Sequence, residues 1–308
     1  MKIFAFGDIH ARDSKPRYRS DDYEDTLFGK IKWGIDLAIE KQCEHIILPG
    51  DIFETHRASN NVIWKLIKLM LFDDSNSFDN FLGVIGNHDA PFHNLLSTNC
   101  PINILRAAGA FLLLHKDIVY KSGEVDFYGA SWGEDIPKIK DENAFNVLVI
   151  HKMIIGEDKL WEGQENYVTA RTLLAKNKFD LIISGDNHQT FVSEYKGKTL
   201  LNMGSLGRMT AAQIDHKPTV AIYNTDTRNY ELFEVPIKPA SEVFNLEEIK
   251  YKKEVAQENA KIKEYINILS NDGEKQEWNY IDNLHNFMYS ANTNDAVKEI
   301  VLSTLEED

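Results

Sequence analysis

The sequence predicts an α/β fold of two sheets, each half of the chain contributing residues to one shared pocket. Apolar runs of strand length alternate with helical stretches, which implies a parallel sheet with crossover connections. Five of those runs stop on Asp, His or Asn, several of them just after a Gly, at the sheet edge where ligands of open α/β folds collect. Beyond Asn187-His188 the alternation gives way to paired strand patterns around turn residues.

In chain order, the run Ile3 to Phe6 is a strand that delivers Gly7-Asp8-Ile9-His10. Residues 11–25 are polar, contain Pro16 and lack an apolar period, so a surface loop is expected. Leu27, Ile31, Ile35 and Ile39 recur at four-residue spacing and mark one helical face covering the sheet. Ile46 to Leu48 returns as a strand ending on Gly50-Asp51. The stretch from Arg57 to Phe72 repeats the helical pattern through Val62, Leu66 and Met70, and Leu82 to Ile85 runs onto Gly86-Asn87-His88-Asp89. A loop follows from Ala90. Residues 102–108 read as helix, 111–114 and 125–130 as strands, and 132–143 as a surface excursion. The second half resumes with a strand at 147–150 ending on His151, a helix over 169–177, and a strand at 181–183 ending on Gly185-Asp186-Asn187-His188. Hairpin patterns join 191–195 to 199–203 around Lys196-Gly197, and 219–224 to 230–235 around Asp226-Thr227-Arg228-Asn229.

Pro236 and Pro239 end the strand pattern, dividing a catalytic-type domain (1–238) from an acidic helical extension (239–308). Ile249, Val255, Ile262, Ile266 and Leu269 form a narrow apolar stripe, and a second helical stretch is expected from Trp278 to Leu305. The extension is read as a solvated tail packed on its own core or as a docking segment for a partner.

The net charge is −14, and from Ala240 onward 7 Lys and Arg stand against 15 Asp and Glu. That balance argues against a broad electrostatic footprint on nucleic acid, although cations held in a carboxylate-rich pocket would supply positive charge locally. No apolar run is long enough to span a bilayer and Met1-Lys2-Ile3-Phe4 enters a strand directly, so a cytoplasmic protein without membrane association is expected. Cys43 and Cys100 have neither metal-ligand nor disulfide spacing.

The chemistry lies in the strand ends. Asp8 and His10, two residues apart on extended backbone, would share a side and reach one ion. Asp51 offers two oxygens and could bridge two ions, Asn87 a neutral oxygen, and His151 and His188 imidazole nitrogens. Such mixed ligation suits Mn²⁺, Fe or Zn²⁺ better than Ca²⁺, and two such ions clamp the attacking and leaving oxygens of an in-line phosphoryl displacement. His45, His56, His93, His115, His216 and His285 lack this setting. No Gly-x-Ser-x-Gly elbow and no Gly-rich loop with Lys is present.

Gly-Asp-x-His, Gly-Asp, Gly-Asn-His-Asp, a strand-terminal His and a final Gly-x-x-His, in this order over residues 1–209, resemble the calcineurin-like metallophosphoesterase superfamily. Within it, Gly50-Asp51-Ile52-Phe53-Glu54, Gly86-Asn87-His88-Asp89-Ala90-Pro91 and Arg19-x-x-Asp22 are similar to the SbcD-type double-strand-break repair nucleases. The resemblance implies a four-layer α/β/β/α sandwich with two divalent ions, usually Mn²⁺, with Mg²⁺ or Fe as alternatives. It places one ion on Asp8, His10, Asp51 and His188 and the other on Asp51, Asn87, His151 and Asp186. His88 would contact the scissile phosphate and leaving oxygen, with Asp89 orienting its imidazole. The chain departs from the family at Asp186, where His is usual, and at Ala11-Arg12, where Leu-Gly is common. The implied function is an exo- or endonuclease of DNA recombination and repair, with an SbcC-type coiled-coil ATPase docking on the C-terminal helices and a homodimer as the assembly. The alternatives are a phosphatase or cyclic-nucleotide phosphodiesterase with the same metal centre, and a catalytically weakened DNA-repair scaffold.

Overall fold

A computed structural model describes residues 1–71, 80–91, 100–156, 164–271, 280–291 and 293–305. The chain divides into two compact units, Met1–Asn245 and Leu246–Asp308.

The first unit opens with β1 (Lys2–Ala5), α1 (Tyr23–Glu40), β2 (His45–Leu48), α2 (Asn60–Leu71), β3 (Asn80–Gly83), α3 (Pro101–Ala107) and β4 (Leu112–Leu113). Next come β5 (Tyr120–Ser122), β6 (Val125–Ala130), β7 (Phe145–His151), the short pair β8 (Ile154–Ile155) and β9 (Val168–Thr169), α4 (Ala170–Lys176) and β10 (Leu181–Gly185). The unit closes with the hairpins β11 (Phe191–Tyr195) to β12 (Lys198–Asn202) and β13 (Thr219–Asn224) to β14 (Asn229–Glu234), then α5 (Ala240–Val243). Two six-stranded sheets result, ordered β14-β13-β1-β2-β3-β4 and β11-β12-β10-β7-β6-β5. β1, β2, β3 and β4 run parallel in the first, and β6, β7, β10 and β12 in the second.

Side-chain alternation along the strands builds a four-layer sandwich. From β1, Ile3 and Ala5 face the apolar layer that also holds Val147, Val149, Leu181, Ile183 and Leu201 of the second sheet, so this layer lies between the sheets. Phe4 and Phe6 join Leu27, Ile31, Ile35, Val62 and Leu66, the apolar faces of α1 and α2. On the far side, Leu148, Ile150, Ile182 and Leu200 meet Leu173 and Leu174 of α4.

β1 and β3 stop earlier than hydrophobicity alone suggests, whereas β7 and β10 run on to His151 and Gly185. β3 ends at Gly83; Val84 N–H makes the last ladder bond, to the Leu48 carbonyl of β2 at 3.2 Å, whereas Ile85, also buried, leaves the ladder and donates its N–H to Ser131 Oγ at 3.1 Å. A strand ends where pairing ends, and apolar residues continue past that point when neighbouring loops satisfy their backbone. Phe6 after β1, like Val84, makes the last ladder bond, its N–H donating to the Ile47 carbonyl of β2 at 3.1 Å.

Residues beyond Lys238 still belong to the first unit: Asn245 N–H donates to the Tyr18 carbonyl at 2.9 Å, and the Arg19 guanidinium lies 5.1 Å from the centroid of the Phe244 ring. The second unit contains α6 (Leu246–Asn271), α7 (Tyr280–Ser290) and α8 (Asp295–Leu305). Two helices thus stand where one stretch was expected, because Asn294 caps α8 through its Oδ1, which accepts from Ala296 N–H at 3.0 Å. Trp278 and His93 lie outside the described residues. Cys43 and Cys100 are both buried.

Candidate metal centre

The candidate residues lie at the ends of, or in the loops following, β1, β2, β3, β7 and β10. Asp8 and His10 do converge, but not by the pleat of an extended strand. β1 has ended, Asp8 bridges to Ser205, and His10 adopts φ 52°. Asp51 and Asp186 are likewise in the left-handed region, at φ 45° and 85°. Non-glycine residues held there store strain that the surrounding fold must overcome, and such positions gather at functional sites.

Glycines make the convergence possible by clearance. A Cβ on Gly86 would overlap Asp51 Oδ1, one on Gly50 would overlap the His151 ring, and one on Gly185 would overlap Asp8 Oδ1. Each of these three glycines therefore seats a ligand-type side chain from another motif, while Gly7 makes room for the Gly204 backbone.

Two groups result whose donor atoms lie within 4.8 Å of one another: Asp8, His10 and His188, and His10, Asp51 and His88. His10 Nε2 and His188 Nε2 stand 3.0 Å apart, and His188 Nε2 is 3.7 Å from Asp8 Oδ2. Asp51 Oδ2 is 3.6 Å from His10 Nε2 and 3.4 Å from His151 Nε2. His151 Nδ1–H donates to the Pro49 carbonyl at 2.8 Å, which turns Nε2 toward Asn87 Oδ1 at 3.0 Å. Asp186 gives its backbone N–H to Asp8 Oδ2 at 2.9 Å, and the residue lines, beside His151, a cavity of about 810 Å³ that also reaches Trp132 and Tyr167.

Asp89 does not orient His88. Its two oxygens accept from the backbone N–H groups of Phe53 and Gly86, both at 2.9 Å, so it braces the loop after β3 against the loop after β2. The partner of His88 is the Glu54 carbonyl, which accepts from Nδ1–H at 2.8 Å, leaving the lone pair of the neutral ring on Nε2. Glu54 was not singled out as a site residue by the sequence, yet its carboxylate also stands 3.1 Å from His10 Nδ1 and 2.9 Å from Arg12. The Arg19-x-x-Asp22 pattern is not an ion pair either: Arg19 holds Asp21 with two bonds, at 2.7 and 2.6 Å, while Asp22 caps α1.

Electrostatics of the metal-free cluster are those of crowded carboxylates and imidazoles. Burial pushes the Asp8 carboxyl up to about 7, with His151 pulling the other way. Burial also opposes the charged form of His151, but its hydrogen bond to Asp51 and the charges of Asp51 and Asp8 lift it to about 10. Burial opposes ionisation of Asp51 too, and His151 and His10 outweigh it, holding this carboxyl well below the usual range. Burial and then the His10 charge bring His188 down to about 4. Asp186 is raised by burial, against the charge of His151. Asp8 Oδ1 is buried without a hydrogen-bond partner. An orphaned carboxylate oxygen facing imidazole nitrogens fits a resident cation, which would satisfy what the protein leaves open.

Residues 1–228 match the calcineurin-like phosphoesterase superfamily domain, and the chain belongs to that superfamily. Two DNA double-strand break repair proteins Mre11 are similar. That of Sulfurisphaera tokodaii is 26% identical over 177 residues, covering 53% of this chain and 44% of its own length. That of Sulfolobus acidocaldarius is 26% identical over 165 residues, covering 50% and 42%. The chain thus matches less than half the length of these relatives. Among solved structures, an archaeal phosphodiesterase overlaps 76% of this chain and 99% of its own at 16% identity, with a TM-score of 0.42.

Proposed function

We propose that the chain is a two-metal phosphodiesterase whose substrate is DNA. The observation that carries the hydrolytic reading is the meeting of Asp8, His10, Asp51, Asn87, His151 and His188 from five strand ends around an unpartnered Asp8 oxygen. The residues that would hold one ion are Asp8, His10, Asp51 and His188; Asp51, Asn87, His151 and Asp186 would hold the other. The ions, Mn²⁺ on this reading, supply Lewis acidity toward the phosphoryl oxygens and a lowered pKa for water.

The protein's own groups do the rest. The Pro49 carbonyl fixes the His151 tautomer, so Nε2 faces Asp51 and Asn87. The Glu54 carbonyl fixes His88 in the same way, so His88 Nε2 accepts from a substrate group in the neutral ring and donates to a leaving oxygen only in the protonated ring. DNA is favoured as substrate by the similarity to the Mre11 proteins and by the Gly50–Glu54 and Gly86–Pro91 motifs. On the same ground we read the second unit, with Tyr251, Tyr289 and Ile300 exposed, as the docking segment for an ATPase partner.

The test is turnover with Mn²⁺ on labelled single- and double-stranded DNA beside p-nitrophenyl phosphate. DNA should be hydrolysed far better than the monoester, and cleavage should weaken as salt rises. Efficient monoester hydrolysis without DNA cleavage would replace this reading by a phosphatase. DNA binding without hydrolysis of any ester would replace it by a scaffold.

A further inference from the structure

Away from the metal centre, a cavity of about 450 Å³ opens between α1 and the segment following β14. Trp33, Val235, Ile237 and Val243 give it apolar walls; Lys238 and the exposed Asp25 also line it, as do two buried cations, Lys30 and Arg208, only 5% and 3% exposed. Among the described residues neither is paired to a carboxylate. Lys30 Nζ donates to the Leu206 carbonyl at 2.8 Å, and the two terminal nitrogens of Arg208 donate to the carbonyls of Ile214 and Lys238 at 3.1 and 2.6 Å. Arg208 Nε is buried with no hydrogen-bond partner. The adjacent carboxylate, Asp21, is already held at both oxygens by Arg19, itself a third cation.

Buried positive charge is costly, and the charges of Asp21 and Asp215 offset it here only in part: burial, with Arg208 and Arg19 nearby, pushes the Lys30 ammonium down to about 7. An anion entering the cavity would offset that cost. The two cations call for a compact head group that takes N–H donors on two oxygens, while the walls call for an apolar body.

We infer that this pocket binds a small carboxylate carried on an apolar body, its head group between Lys30 and Arg208 and its body against Trp33, Val235 and Ile237. The site is separate from the phosphoesterase chemistry and does not rest on it.

Gly29 provides the decisive variant. It lines the cavity, and a Cβ built there meets no atom within 4 Å. Gly29→Leu should therefore fold, with a gain in helix propensity, and fill the pocket. The full chain in EDTA, so that the metal centre is not a competing site, is titrated with octanoate by calorimetry and thermal unfolding. One saturable site is expected, with a rise in Tm that neither 1-octanol nor acetate reproduces. Gly29→Leu should abolish it, and Lys30→Met should weaken it about tenfold to a hundredfold. Binding of octanol equal to octanoate, unchanged octanoate binding by Gly29→Leu, or no saturable binding by the parent would each overturn the inference.

Discussion

The backbone N–H of His88 donates to Asp51 Oδ1 at 3.0 Å, tying the loop after β3 to the carboxylate that both ion positions would share. Asp51→Asn should therefore lose bound metal and hydrolysis together. Metal analysis of the purified variant beside its turnover number checks this. Two tightly held ions with full activity would remove Asp51 from the bridging role.

His88→Ala should keep its metal content while the rate falls by ~10²–10⁴, the usual contribution of a positioned acid or donor. The loss should be smaller on esters with good leaving groups. An equal loss on DNA and on p-nitrophenyl esters would mean that leaving-group protonation is not the main task of this imidazole.

Asp89 holds two backbone N–H groups in a fully buried site. Asp89→Ala leaves both donors unsatisfied and should cost roughly 2–4 kcal/mol in urea unfolding. Asp89→Asn, which keeps an acceptor, should cost less. Wild-type stability in the Ala variant would show that water replaces the brace.

Asp186 places a hard oxygen and a negative charge where the family commonly has imidazole. Asp186→Ala should weaken metal binding, and Asp186→His should shift preference away from Mn²⁺ toward Zn²⁺ and move the pH-rate profile to lower pH. An Ala variant that binds two ions as tightly as the parent, with an unchanged profile, would make Asp186 a bystander.

In the metal-free protein the stability contributed by His151 should be lost as pH rises from about 6.5 to about 10, while Lys30, pushed down to about 7 in the fold, contributes the opposite slope from about 7 upward. His151 has a folded-state pKa of about 10 against an ordinary value of 6.5, so its proton stabilises the fold below that window and is lost through it. Loaded metal requires neutral imidazole and should flatten or reverse the slope. Thermal unfolding in EDTA and in Mn²⁺ across this range gives both curves. The EDTA curve is therefore read in Lys30→Met, where the opposing slope is gone, and a flat curve in that variant would mean that His151 is not charged in the empty cluster.

Most of the candidate centre was legible because apolar runs that stop on Gly, Asp, Asn or His report both a strand and what it delivers. What escaped works through atoms that sequence does not advertise. Glu54 orients His88 with its backbone carbonyl, which any residue possesses, so only the fold reveals it. Asp21 and Asp22 are chemically equal, and their tasks divide according to which one precedes the first turn of α1. Ile85 reads as strand because it is apolar and buried, yet its N–H leaves the ladder for Ser131 Oγ. His10 reaches its partners through a left-handed backbone, a conformation that an Asp-x-His spacing does not announce.

The mutual seating of the motifs, with Gly185 sheltering Asp8 and Gly50 sheltering His151, has a consequence for synthesis. During translation the segment bearing Asp8, His10 and Asp51 emerges first, without the imidazoles that complete its ligand set and without the strand that supports them. A chain still short of residue 188 holds carboxylates crowded together with no means of retaining a full complement of ions. On the proposed reading, hydrolytic capacity is withheld until the second sheet has formed beside the first.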